Sequence, residues 1–238
     1  TPNLLSAESL AEPVPASPGG DLALTPGGGA GGADRNAVPT YAVPHVRVTK
    51  AIARHPPYRT SSLRALGGYL NVFAIETLMD DVAADLGEDP VAFRLAHLDD
   101  PRARAVVART AEMAGWPGEM AEGTGQGLAF ARYKTTAAYC AVAVRVVVDE
   151  AGRVTHAWAA LDAGECVNPD GARHQLEGSI VQAISWALKE AVRVDGTVPV
   201  CRDWDGYPIL RFSQVPEIRS EIIQRQEDPP LGLAEAAM

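Results

Sequence analysis

Three cysteines in 238 residues, Cys140, Cys166 and Cys201, stand far apart with no C-x-x-C pair. A zinc or iron–sulfur site built by this chain alone is therefore not expected, and the three read as free thiols, with Cys166 in a polar loop. Positive charge is also scarce. Lys and Arg number 21 against 30 Asp and Glu, a net charge of -9, and no basic cluster offsets it, which makes nucleic acid and anionic membrane poor partners. No apolar run approaches the ~20 residues that a membrane span needs. No signal-peptide pattern opens the chain. A Ser-containing nucleophile elbow is missing, so a plain hydrolase has no support. Gly123, Gly125 and Gly127 form G-x-G-x-G, but no Lys-Ser/Thr or dinucleotide spacing follows, and they read as turn glycines at a strand entry rather than a nucleotide cradle. His156 has no second His or carboxylate at metal spacing beside it and reads as a half-buried strand residue.

What is present falls into three stretches. Residues 1–40 hold much of the Gly and Pro and read as a linker or extended segment. Residues 41–118 read as one strand near 45–52 followed by three helices. In the first helix, opened by Gly67-Gly68 and closed by Gly87, the positions Leu70, Phe73, Leu78, Val82 and Leu86 fit a 3.6 period and are expected to face a core. Asp89-Pro90 and Asp100-Pro101 each pair an N-cap with a first-turn proline and start the second and third helices. Residues 119–238 read as α+β. The Ala/Val-rich run 138–149 and its return 153–162 predict a hairpin, Thr197–Val200 a short strand, and EIRSEIIQ an edge strand of mixed charge.

The most informative stretch is 162–192. Asn168-Pro169-Asp170-Gly171 is turn chemistry, placing a helix start near Ala172. Leu176, Ile180, Ala183, Ala187 and Ala191 then predict the core-facing stripe. A second stripe, Gln175, Gly178, Gln182 and Ser185, joins uncharged hydrogen-bonding groups to a missing side chain, so it can either admit a polar ligand close to backbone or be an ordinary exposed polar face. At the other end, PPLGLAEAAM reads as a stop inside a longer polypeptide and places Glu235 among small and apolar residues. A carboxylate in such surroundings is suited to accept a proton; a Glu in the first turn of a terminal helix is the alternative.

The order D-x-G-x-x-x-N-P, then Q-x-E-G-x-x-x-Q, at Asp162, Gly164, Asn168, Pro169, Gln175, Glu177, Gly178 and Gln182, resembles the large subunit of the molybdenum hydroxylases, the xanthine dehydrogenase and aldehyde oxidase family. The wording NPDGARHQLEGSIVQAISWALKE is most like the isoquinoline 1-oxidoreductase beta-subunit type. Further matches are Arg35, Asn36, Ala37, Pro39, Tyr41 and Pro44, and the helix Phe73, Ala74, Glu76, Met79 and Asp80. The resemblance implies an α+β fold, a partial molybdopterin-binding region whose second cofactor half is residues 119–238. It implies that Gln175, Glu177, Gly178, Gln182, Asn168 and Gly164 lie at the pterin, and that Arg64, which otherwise reads as half of an ion pair with a helix carboxylate, approaches the molybdenum centre. Glu235 then supplies the general base, in a Gly232-Leu233-Ala234-Glu235 run with Ala where the family usually has a second Gly. No protein ligand to the metal is implied. The pattern lacks the Phe residues around the Arg–Gly pair that accompany purine recognition. The activity implied is water-dependent hydroxylation of an N-heterocycle or aldehyde, using molybdopterin in its cytosine dinucleotide form, with 2Fe-2S clusters on a small partner subunit. A non-catalytic fragment or scaffold of the same fold is the rival expectation.

Overall fold

The computed structural model describes residues 32–50, 63–148, 152–196, 198–233 and 235–238. Three helices come first: α1 (Gly68–Leu86), α2 (Pro90–Ala96) and α3 (Pro101–Ala114). Cap chemistry sets their bounds. The Asp89 carboxylate accepts from the Val91 and Ala92 amides at 3.0 and 2.8 Å, and Asp100 accepts from the Arg102 amide at 2.9 Å. A proline follows each cap, where the missing N–H has no intrahelical partner to lose.

The strands β1 (Thr124–Arg132), β2 (Tyr139–Val147) and β3 (Arg153–Asp162) form an antiparallel run. Helix α4 (Pro169–Leu188) then crosses over, a two-residue hairpin β4 (Val194–Asp195) and β5 (Val198–Pro199) intervenes, and β6 (Glu217–Ile222) returns parallel to β3. The order β1-β2-β3-β6 leaves β6 at an edge, as its mixed charge implied. Alternation along the strands sends Leu128, Phe130, Ala141, Ala143, Trp158 and Ala160 to a core under α1–α3. Their neighbours Cys140, Ala157, Ala159 and Leu161 join a second core under α4, with Leu176, Ile180 and Ile184. The α+β class stands, arranged as helices, sheet, helix.

Three expectations are corrected. Residues 45–50 form no strand, and they are mostly exposed with Pro44 immediately before them; 51–52 lie outside the described residues. On α4 the core stripe continues through Ile184 and Ser185 instead of Ala183 and Ala187, because two steps of four from Leu176 carry it there; Ala191 is past the helix end. The largest correction concerns α1. Its apolar series is turned outward, with Leu70 65 % and Phe73 67 % exposed, and the helix buries Glu76, Met79 and Ala83 instead.

The reason is a buried polar cluster that overrides the hydrophobic pattern. Glu76 Oε1 accepts from the Tyr41 hydroxyl at 2.8 Å. Its Oε2 accepts from Arg94 Nε and from the Phe130 amide, each at 2.9 Å. Arg94, wholly buried, also donates to the Glu76 and Pro90 carbonyls and to Asp80. Burial pushes the Glu76 carboxyl above its ordinary range while Arg94 pulls against it, and burial with the Glu76 charge beside it raises the Tyr41 hydroxyl. A buried charge left without partners costs several kcal/mol, on the order of 3–5. Turned outward, Glu76 would leave the wholly buried Arg94 without its buried counter-charge, and this pairing keeps the acid inward.

Candidate cofactor-binding site

Arg64 lies just ahead of α1, in a turn where Ala65 and Leu66 both take left-handed backbone at φ 66° and 55°. From there its guanidinium reaches across to α4. Nη1 donates to Gln182 Oε1 and Nη2 to Gln175 Oε1, both at 3.2 Å. One arginine thus bridges two glutamines two helical turns apart. Gly178 lies between them, exposed, and a methyl group added there would meet nothing within 4 Å. The three residues expected on one stripe therefore share an open face, with Arg64 laid along it.

The strained turn is held by a latch that shows only in part in the sequence. Residues 32–36 press on Gly67 so closely that a Cβ there would stand 2.2 Å from the Ala33 carbonyl oxygen; only glycine fits. The Gly67 amide donates to the Gly32 carbonyl at 3.1 Å. Asn71 Nδ2 donates to the Ala33 and Arg35 carbonyls, each at 2.9 Å. Asn36 then ties the latch to the end of β1: its Nδ2 donates to the Arg132 carbonyl at 2.8 Å and its Oδ1 accepts from the Lys134 amide at 2.9 Å. Arg35 Nη1 donates to the Tyr133 hydroxyl at 2.9 Å. Asn36, Lys134 and Thr135 are also left-handed, at φ 59°, 58° and 59°. For a β-branched residue such as Thr135 that conformation is costly, about 1–3 kcal/mol, and survives only where surroundings enforce it. The Arg35-Asn36 pair is the visible signal; its strained partners carry none.

The remaining predicted residues are placed as follows. Glu177, two residues and so about 200° around the helix from Gln175, accepts from Ser220 Oγ on β6 at 3.0 Å and serves the α4–sheet contact. Asn168 caps α4, accepting from the Gly171 amide at 2.9 Å. Ser185 leaves the polar stripe: it is buried, donates to Glu190 and accepts from the Leu210 amide at 2.9 Å. Gly164, at φ 70°, faces the Pro229 carbonyl, 2.1 Å from where its Cβ would be. Glu235 lies half-buried in a turn rather than a helix. The two residues after it, Ala236 and Ala237, are buried in the core that holds Ala65, Ala172 and Leu176. The segments bearing Arg64, Gln175 and Glu235 thus share one core; Ala234 is outside the described residues.

This donor set suits an organic ligand rich in acceptors. Both glutamine carbonyl oxygens are engaged by Arg64, which leaves each amide two N–H donors to offer, beside a guanidinium and a helix surface with no side chain at Gly178. A pterin's carbonyl and ring nitrogens, or a phosphate, match such donors. The residues present fit the cofactor.

Two family models described as molybdopterin cofactor-binding domains match residues 31–98 and 81–216, the second covering more than half of the chain. The chain is 39 % identical over 222 residues to a subunit of the nicotinate dehydrogenase of Pseudomonas putida, 86 % of this chain and 19 % of that protein. It is 37 % identical over 183 residues to the beta subunit of the isoquinoline 1-oxidoreductase of Brevundimonas diminuta, 74 % of this chain and 23 % of that one. The chain therefore spans about a fifth of the length of these relatives. In fold it is similar to the aldehyde oxidoreductase of Desulfovibrio gigas, with a TM-score of 0.61 at 13 % identity, over 77 % of this chain and 38 % of that one. Sequence motif, open polar face and family match converge, and the chain belongs to the molybdopterin cofactor-binding domain family.

Proposed function

We propose that this chain is the cofactor-holding part of a molybdenum hydroxylase that converts an N-heteroaromatic carbon, or an aldehyde carbon, to its hydroxylated product. The balance is R–H + H2O → R–OH + 2 H+ + 2 e−. When bound, the molybdenum cofactor supplies the two-electron acceptor and the oxygen-transfer chemistry. Gln175 and Gln182 hold the pterin by their amide donors, with Gly178 giving it access to the helix. Arg64, fixed by both glutamines, orients polar groups at the reacting end. Glu235 takes a proton from the attacking water, a role worth ~10²–10⁴-fold in rate. The observation that carries this reading is the Arg64 bridge between Gln175 and Gln182 beside the open Gly178 surface.

The N-heteroaromatic class is favoured by the names of the two relatives, which act in their own right on nicotinate and isoquinoline. The pterin is taken in its cytosine dinucleotide form. With its three cysteines dispersed along the sequence, the chain passes electrons to 2Fe-2S clusters on a small partner subunit.

Glu235→Gln in the full-length, molybdenum-loaded enzyme tests the core of the reading. The substitution keeps shape but removes the basic oxygen, so reduction of the centre by nicotinate, isoquinoline or benzaldehyde, whichever reacts with wild type, falls by ~10²–10⁴-fold while metal content holds. A single-turnover rate within a few-fold of wild type removes Glu235 from the role of base.

A further inference from the structure

The end of β3 and the segment leading to Glu235 are joined by more than packing. Asp162 closes β3 with its side chain wholly buried. Its Oδ1 accepts from Arg102 Nη2 and from the Gly164 amide, the latter at 3.2 Å, and its Oδ2 accepts from Arg102 Nε at 3.1 Å and from Arg225 Nε. Arg102 Nη1 also stands 3.5 Å from the Asp228 carboxylate. Burial would raise the Asp162 carboxyl, but the Arg102 and Arg225 hydrogen bonds outweigh it and hold the carboxyl below its ordinary range. Backbone bonds run alongside: Ile223 N to Leu161 O at 2.8 Å, Glu165 N to Asp228 O at 2.8 Å, Leu231 N to Ala163 O at 2.8 Å, and Ala138 N to Gly232 O at 2.9 Å. Gly164 lets the two segments approach this closely, since a side chain there would overlap the Pro229 carbonyl.

A buried carboxylate between two arginines is a poor device for stability, because desolvation offsets most of its attraction. It is a good device for register, because only one placement of the segment satisfies every partner. From Gly232 to Glu235 are three residues, a reach of at most ~10 Å, and buried Ala236 and Ala237 pin the far side. Glu235 is therefore held from both directions, and the near anchor is the Asp162 cluster.

We propose that Asp162, with Arg102, Arg225 and Gly164, is a positioning device that sets the register of residues 223–233 and thereby the location of the Glu235 carboxylate. This gives Gly164 a role distinct from touching the cofactor. The proposal rests on Glu235 being the base.

Three variants of the full-length, molybdenum-loaded enzyme test it: Asp162→Asn, which removes the charge; Gly164→Ala, which pushes the segment away sterically; and Arg225→Gln, at a partly exposed arginine, whose fold is the least endangered. Leu98→Ala, which opens a cavity in the core under α1–α3, serves as a purely structural control. Expected for each test variant is faster amide exchange confined to residues 223–238. Expected also is a ~10–100-fold lower rate of centre reduction per molybdenum, with substrate KM changed by less than ~3-fold and metal content retained. Leu98→Ala lowers Tm and leaves the rate per molybdenum unchanged. Wild-type exchange in 223–238, or a lowered Tm with an unchanged rate per molybdenum, in Arg225→Gln and Gly164→Ala overturns the proposal. The two possible failures look different: a fast Glu235→Gln removes the base assignment, whereas a slow Glu235→Gln beside fast positioning variants overturns only the device described here.

Discussion

The two faces of the sheet solve opposite problems. On the α1–α3 face, the charged groups Glu76 and Arg94 are buried and fully partnered, while apolar Leu70 and Phe73 stand outside. On the α4 face the core is apolar, Leu176, Ile180 and Ile184 over Ala157, Ala159 and Leu161, and the polar residues Gln175 and Gln182 lie on the outer side with Arg64 across them. Polar groups that fix structure are buried and satisfied from within; those available to a ligand sit on a helix surface with donors to spare.

Breaking the first face should have the largest effect on stability. Arg94→Ala strands the Glu76 carboxylate in a dry site and is expected to cost about 3–5 kcal/mol, read as a lower urea midpoint. An unchanged midpoint would mean that α1 is not oriented by this cluster. On the second face, Gln175→Ala in the full-length enzyme removes two amide donors from an exposed helix position. Cofactor affinity is expected to fall by about 1–3 kcal/mol with little change in melting; unchanged occupancy with a clear drop in Tm would make Gln175 structural.

The acid behaviour of Asp162 separates the faces further. Its folded carboxyl lies below the ordinary value, near ~3.9 for an unfolded chain. Its stabilisation is thus present above that value and lost as pH falls through the lower, folded one. Asp162→Asn should therefore flatten the stability curve only below about pH 4; a change confined to neutral pH would contradict the pairing with Arg102 and Arg225. The smallest effect belongs to α1. Leu70→Ser, at a side chain 65 % exposed, should alter the stability of residues 1–238 by no more than about 0.5 kcal/mol. A larger loss by thermal melting would show that this apolar face is covered.

Much of the fold was legible because its signals are local. Asp89-Pro90, Asp100-Pro101 and Gly87 bound helices to within a residue, and the run 153–162 is β3 itself. Strand β1 was less visible, since Gly125 and Gly127 sit inside it and dilute its pattern. The polar stripe at Gln175, Gly178 and Gln182 could be read from helical spacing, and the order of motifs gave it a ligand class. The facing of α1 could not, because periodicity counts apolar residues and is blind to a carboxylate that finds Tyr41, Arg94 and Phe130 only after folding.

The chain's own residues determine where its helices begin and end, which strands alternate, and which family it joins, because caps, prolines and period-two patterns act over a few neighbouring positions. Tertiary structure alone decided that Arg64 spans two glutamines more than a hundred residues away, that Gly67 and Gly164 admit a passing carbonyl, and that Asp162 gathers Arg102 and Arg225. Those contacts depend on geometry between distant segments, and a buried polar group is placed by whatever partners the whole fold brings to it.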